Sequence, residues 1–170
     1  MRPQAVARRA GGFGMQVLYH NRSPVEATIE AELGASYVSK EELLSRSAFL
    51  SVHLPLEEST RGAIGAEELA LMQPGAILIN TARGPVVEVD ALVAALQSGH
   101  LGGVGLDVFD REPAVDPRLL EFEQAVLLPH IGSASTETRR QMCMLAVQSV
   151  LSHARGEKPQ YLVNLSESSG

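Results

Sequence analysis

Tryptophan is absent from this 170-residue chain, and aromatic residues make up only 4% of it. The core must therefore be aliphatic, built from Val, Leu, Ile and Ala. Cysteine occurs once, as Cys143. That excludes an internal disulfide framework and any all-cysteine metal site, and it fits a reducing compartment such as the cytoplasm. No stretch approaches the roughly 18 uninterrupted apolar residues of a membrane span. No group of His, Cys, Asp and Glu has metal-ligand spacing, so no metal is expected. Basic residues are outnumbered, 14 Lys and Arg against 20 Asp and Glu, giving a net charge of −6. A nucleic-acid binder would normally carry a basic patch instead. What remains is 45% hydrophobic and 20% charged, a globular composition long enough to fold without disulfide staples.

Glycine and proline divide the chain into alternating helix and strand. Gln4–Ala10 is a helix-forming run halted by Gly11 and Gly12. Met15–Tyr19 reads as a strand, Pro24–Leu33 as a helix ended by Gly34, and Ser36–Val38 as a short strand. Lys40–Arg46 reads as a helix with Ser39 at its N-cap and Glu42 closing a capping box. Strands are expected at Ala48–Leu54, Ala76–Asn80, Val104–Phe109 and Val126–Leu128, with helices at Ala66–Met72, Val89–Gln97 and Thr136–Ala154. Short apolar strands alternating with helices imply βαβ units and an α/β fold, a doubly wound parallel sheet covered on both faces. No linker divides the chain. One domain is expected over residues 1–164, followed by a disordered tail over 165–170. The first 25 residues hold four Arg and no acid, which loosely resembles a transit peptide. The reading adopted is that they belong to the fold.

The chain opens on a helix with no strand before it. A dinucleotide site of the Rossmann type needs a first strand, a glycine turn and then a helix whose N-terminus holds the pyrophosphate. Met1-Arg2-Pro3 stands where that turn is expected.

Five stretches carry a resemblance when taken together and in order. They are QAVARRAGGFGMQVLYHNR, SVHLPLEEST, MQPGAILINTARGPVVEVDAL, GVGLDVFDREP and LLPHIGSASTETRRQM. With them the chain resembles the nucleotide-binding part of the D-isomer-specific 2-hydroxyacid dehydrogenases, in the glyoxylate/hydroxypyruvate reductase branch. The resemblance runs from about residue 4 to residue 164. It implies a Rossmann-like domain lacking its first strand and glycine turn, and a substrate domain that is absent here. It also implies a small 2-keto or 2-hydroxy acid as substrate and a homodimer. In isolation the 170-residue chain is then expected to be inactive. A truncated binding or dimerising module of the same fold is the rival reading.

Hydride transfer to a 2-keto acid needs a cation for the carboxylate and carbonyl, an acid/base for the hydroxyl proton, and a pinned cofactor ring. Arg83, in NTARGP, follows an expected strand at the carboxyl edge of the sheet, where open α/β folds bind ligands. Its guanidinium can hold a carboxylate bidentately. His130, between Pro129 and Gly132, has a ring suited to proton transfer near neutral pH. Glu112, in DREP, suits its partner, since a carboxylate on the other ring nitrogen fixes the tautomer. Each alone reads equally as a surface residue. The resemblance makes Arg83, Glu112 and His130 the catalytic set.

Cofactor choice turns on the residues after the strand MQVLY. NAD sites place an Asp or Glu there for the ribose hydroxyls. This chain has His20-Asn21-Arg22-Ser23. With no acid present and Arg22 able to pair with a 2′-phosphate, NADP is favoured over NAD, and Asn21, Arg22 and Ser23 are assigned to the cofactor. By resemblance Leu54 and Pro55 line its adenine and ribose side, while Thr81, Ala82 and Asp107 approach the nicotinamide; Arg83, His130 and Gly132 are also assigned to the cofactor. His53 is read as a wall of the site. His20, His100 and His153 are read as structural or solvated.

Overall fold

Strands pair in two separate parallel sheets in the computed structural model, which describes residues 3–161. The first sheet joins β1 (Val17–Tyr19) to β2 (Ala35–Tyr37). The second has the order β3-β4-β5-β6, formed by Phe49–Val52, Ala76–Asn80, Leu101–Leu106 and Ala125–Leu127. The expectation is a doubly wound parallel sheet lacking its first strand, and this division agrees with it. In the doubly wound order 3-2-1-4-5-6, the strand between these two edges is the one that carries the glycine turn. Among the described residues no strand joins β1 to β3. The expected turn at Met1 and Arg2 and the expected tail over 165–170 lie outside the described residues.

Helices alternate with the strands: α1 (Pro3–Gly12), α2 (Ala27–Leu33), α3 (Lys40–Arg46), α4 (Ala66–Leu71), α5 (Val89–Gln97) and α6 (Thr136–Ala154). This is the expected α/β architecture of the Rossmann type. The cap on α3 is half of what its sequence suggests. Ser39 Oγ accepts the Glu42 amide at 3.1 Å, but the Glu42 carboxylate pairs with Arg46 one turn on instead of returning to the cap. The i,i+4 ion pair competes for the same carboxylate. Short 3-10 turns at Glu58–Thr60, Gly84–Val86 and Pro117–Glu121 have no counterpart in the sequence reading.

The core is aliphatic as expected, with Leu44, Leu69, Met72, Leu78, Leu92 and Leu101 almost fully enclosed and no aromatic side chain among the buried ones. It lies in the second sheet, its helices and the turns between them, such as Ile64, Val87 and Leu119. α1, α2, β1 and β2 contribute no buried residue, and the first buried side chain among the described residues is Val38. Burying each large aliphatic is worth about 1.5–3 kcal/mol, so this asymmetry concentrates stability around β3–β6.

The chain divides into two compact units, one ending at Gly132 and the other starting at Ser133. The expected domain of residues 1–164 spans both. Within the second unit, Ser135 caps α6 by accepting the Thr138 amide at 3.1 Å. No α6 side chain is buried, and Met142, Leu145 and Val150 are exposed. No described helix is long and apolar enough to cross a membrane.

Candidate active site

The site is assembled from loops at the carboxyl ends of β3, β4, β5 and β6, where an open α/β sheet presents its ligand-binding residues. β4 ends in Asn80, whose side chain is buried. A buried amide needs partners, and Asn80 has two. Its Nδ2 donates to the Arg83 carbonyl at 3.0 Å, and its Oδ1 accepts the Ala82 amide at 3.0 Å. The turn Thr81–Arg83 is thereby folded around one side chain. Asn80 was missed in the sequence reading. Its signal is a polar residue closing the otherwise apolar strand AILIN.

Gly84 follows Arg83 and lies against the backbone of the next loop. A Cβ there would stand 2.0 Å from the Phe109 carbonyl carbon and 2.5 Å from the Asp110 nitrogen. Only glycine permits that approach, and it brings the Arg83 turn beside the Asp107–Pro113 loop. Glu112 in that loop accepts the Phe109 amide on Oε1 at 3.0 Å and faces His130 Nδ1 with Oε2 at 2.7 Å. The bond to His130, the Phe109 amide and the nearby charges of His130 and Arg83 hold the Glu112 carboxyl below its ordinary pKa. Glu112 is therefore the acceptor, and the Nδ1 that faces it carries the proton. The His130 ring thus presents Nε2, and the pair is half-exposed rather than sealed in the core. Arg83 is exposed, its Nη1 donating to the Ala82 carbonyl at 2.7 Å. No described carboxylate forms an ion pair with it.

His130 has φ 53°, the one positive φ among the described non-glycine residues. A histidine held there is strained by about 1–2 kcal/mol and persists where its surroundings over-determine it. Asp107 supplies that restraint. It is buried, and its two oxygens accept the amides of Ile131 and Gly132, each at 2.7 Å. β5 ends at Leu106, so Asp107 lies just past the strand rather than inside it. Its buried carboxylate, odd from sequence alone, is satisfied by the loop that carries His130.

A cleft of about 460 Å³ is lined by His53, Leu54, Pro55, Leu56, Thr81, Ala82 and Arg83. It gathers six of the expected residues, His53 as a wall among them, with Leu56 added. β3 stops at Val52, two residues earlier than expected, so His53 and Leu54 belong to the loop. His53 meets Ser51 Oγ through Nε2 at 2.9 Å, and burial pushes its pKa down, which keeps the ring neutral. Asn21, Arg22 and Ser23 stand apart, exposed in the loop after β1. His100 is structural, bonded through Nε2 to the Leu69 carbonyl at 2.9 Å. His20, expected to be structural or solvated, is exposed and packs on Tyr37.

Residues 3–132 match the NAD-binding domain of the D-isomer-specific 2-hydroxyacid dehydrogenases. The chain belongs to that family. It is 48% identical to a glyoxylate reductase of Thermococcus litoralis over 161 residues, which are 95% of this chain and 48% of the relative. Among solved structures it resembles an NADPH-dependent glyoxylate/hydroxypyruvate reductase of Sinorhizobium meliloti in complex with NADP and malonate. The TM-score is 0.81 at 40% identity, covering 87% of this chain and 45% of that one. The holo D-mandelate dehydrogenase of Rhodotorula graminis superposes with a TM-score of 0.89 at 36% identity, covering 98% and 49%. This member of the family spans about half the length of the curated relatives it matches.

The residues fit a nicotinamide dinucleotide. The cleft beside Arg83 is formed by the loops after β3 and β4, and the loop after β1 reads His20-Asn21-Arg22-Ser23, with no acid. Among the described residues no ion pair engages Arg22.

Proposed function

We propose that the chain is the cofactor-binding part of an NADP-dependent reductase acting on small 2-keto acids of the glyoxylate or hydroxypyruvate kind. The observation that carries this reading is the Glu112–His130 pair at 2.7 Å beside the Arg83 turn. Bound cofactor supplies the hydride. Arg83, which forms no ion pair among the described residues, holds the substrate carboxylate and polarises the neighbouring carbonyl. His130, its tautomer set by Glu112, delivers the proton to the carbonyl oxygen as it becomes a hydroxyl. Asp107 and Asn80 do not touch substrate; they hold the two loops in register. Leu54, Pro55, Thr81 and Ala82 wall the cofactor cleft, and Gly132 with Asp107 belongs to the cofactor side through the loop that carries His130.

Arg22 beside Asn21 and Ser23 supports NADP over NAD, since a 2′-phosphate needs a cation where NAD sites keep an acid. Pairing into a homodimer belongs to the same proposal, supported by the apolar side chains that α6 leaves exposed. A cytoplasmic location is supported by a lone free cysteine, Cys143.

The test is a chimera in which residues 3–161 replace the matching segment of the Thermococcus litoralis relative. It should reduce glyoxylate with NADPH in preference to NADH, and Arg22→Asp should move that preference toward NADH. His130→Ala should lower kcat by about 10²-fold or more, the scale of a lost general acid. Arg83→Ala should raise KM and lower kcat together. Turnover by the His130 variant near that of the parent chimera would refute the assignment.

A further inference from the structure

The loop after β1 is held more firmly than an exposed turn requires. Tyr19 and Tyr37 are register partners at the ends of β1 and β2, their rings meeting edge to face at 5.5 Å. His20 stacks on Tyr37 at 5.6 Å, and its Nδ1 faces the Val38 carbonyl at 2.9 Å, so Nδ1 carries the proton. The two tyrosine hydroxyls then reach the loop from either end. Tyr37 Oη donates to the Asn21 carbonyl at 3.0 Å. Tyr19 Oη accepts the Val25 amide at 2.8 Å and donates to Glu30 at 2.7 Å. Burial and the Glu30 carboxylate raise the Tyr19 pKa, which keeps that hydroxyl a donor. The chain has only three tyrosines, and two of them fasten this one loop.

Between the two fastened points lie Arg22 and Ser23. No backbone bond engages the amide of either residue among those described. Arg22 has no described ion-pair partner. A guanidinium, a hydroxyl and two unengaged amides on a pinned turn are the donors that a phosphate monoester takes up.

We propose that Tyr37 is a positioning residue for cofactor selectivity: its hydroxyl on the Asn21 carbonyl fixes the turn so that Arg22 and Ser23 meet an adenosine 2′-phosphate. This rests on the NADP reading above. Tyr37 acts through the turn and does not touch the phosphate. Its loss therefore affects recognition of the 2′-phosphate and leaves recognition of adenosine itself unchanged. A tyrosine that merely stabilised the β1–β2 sheet would weaken both.

The probes are adenosine 2′,5′-bisphosphate and adenosine 5′-monophosphate, titrated by two-dimensional NMR into the 170-residue chain. Arg22→Ala tests the cofactor reading and should weaken the bisphosphate by about ten-fold or more through the lost charged bonds. Tyr37→Phe keeps the ring stack and removes only the hydroxyl. It should weaken the bisphosphate roughly three- to ten-fold, the worth of one hydrogen bond, and leave the monophosphate within about two-fold. If Arg22→Ala acts and Tyr37→Phe changes neither probe, or both equally, the positioning role is overturned and the cofactor reading stands. If the parent chain does not distinguish the probes, or Arg22→Ala changes nothing, the cofactor reading fails and this inference fails with it.

Discussion

Replacing Asp107 by Asn changes one atom of a buried side chain and should unfasten the loop that carries His130. The parent carboxylate accepts two amides, from Ile131 and Gly132, each at 2.7 Å. Hydrogen bonds to an ionised acceptor contribute about 1.5–3 kcal/mol each. Asparagine keeps one oxygen and so one bond, now to a neutral acceptor. Its amide NH2 points a donor at the remaining backbone donor, which leaves a buried N–H unsatisfied. One charged bond lost and another weakened gives an expected destabilisation of about 3 kcal/mol, a large share of the 5–15 kcal/mol of a typical domain. Urea unfolding followed by circular dichroism measures it, with Asp90→Asn as the control. Asp90 also meets a cation, Arg118, but its side chain is 85% exposed, so its removal should cost under about 1 kcal/mol. Amide exchange at Ile131 and Gly132 should accelerate more than at β4. A loss within about 0.5 kcal/mol of the parent, on the scale of an ordinary surface change, would refute the argument.

Two more expectations follow from the same loops. Gly84→Ala drives a Cβ into the Phe109 carbonyl, a contact of backbone on backbone with nothing flexible to give. It should destabilise by about 1–3 kcal/mol or more in the same urea assay, and in the chimera it should separate Arg83 from Glu112 and lower kcat. The Glu112 carboxyl has a lowered pKa when folded, so it stabilises the fold above its unfolded pKa of about 4.5. That stability is lost as pH falls through the lower folded value. The difference in urea midpoint between parent and Glu112→Gln should therefore be full at pH 6 and shrink toward pH 3; a pH-independent difference would count against it.

Local punctuation made much of this fold readable. β4, α3, α5 and α6 have the expected limits because a glycine, a proline or a capping serine bounds each one. β5 begins at Leu101 rather than at the expected Val104, and so takes in Gly102 and Gly103. They are strand residues here: a Cβ on Gly102 would stand 2.4 Å from the Gly75 carbonyl oxygen, so glycine answers a neighbour distant in sequence. Long-range effects of this kind were not legible. The Asp107 amide bonds, the Asn80 brace and the reach of Tyr37 to Asn21 each join residues through the folded backbone. The types Arg83, Glu112 and His130 and their order were legible, whereas the 2.7 Å bond within the pair needed the fold.

The two sheets also divide what evolution can change freely from what it cannot. The loop that would discriminate between cofactors sits on β1 and β2, a leaf with no side chain in the core. On the cofactor reading proposed above, substitutions there would alter selectivity without drawing on the margin that keeps the chain folded. Asn80, Gly84 and Asp107 are embedded in the other leaf, where a change to the chemistry is also a change to the packing. A lineage could therefore exchange one dinucleotide for another in a few steps, each neutral for folding, while the proposed proton-transfer residues stayed fixed.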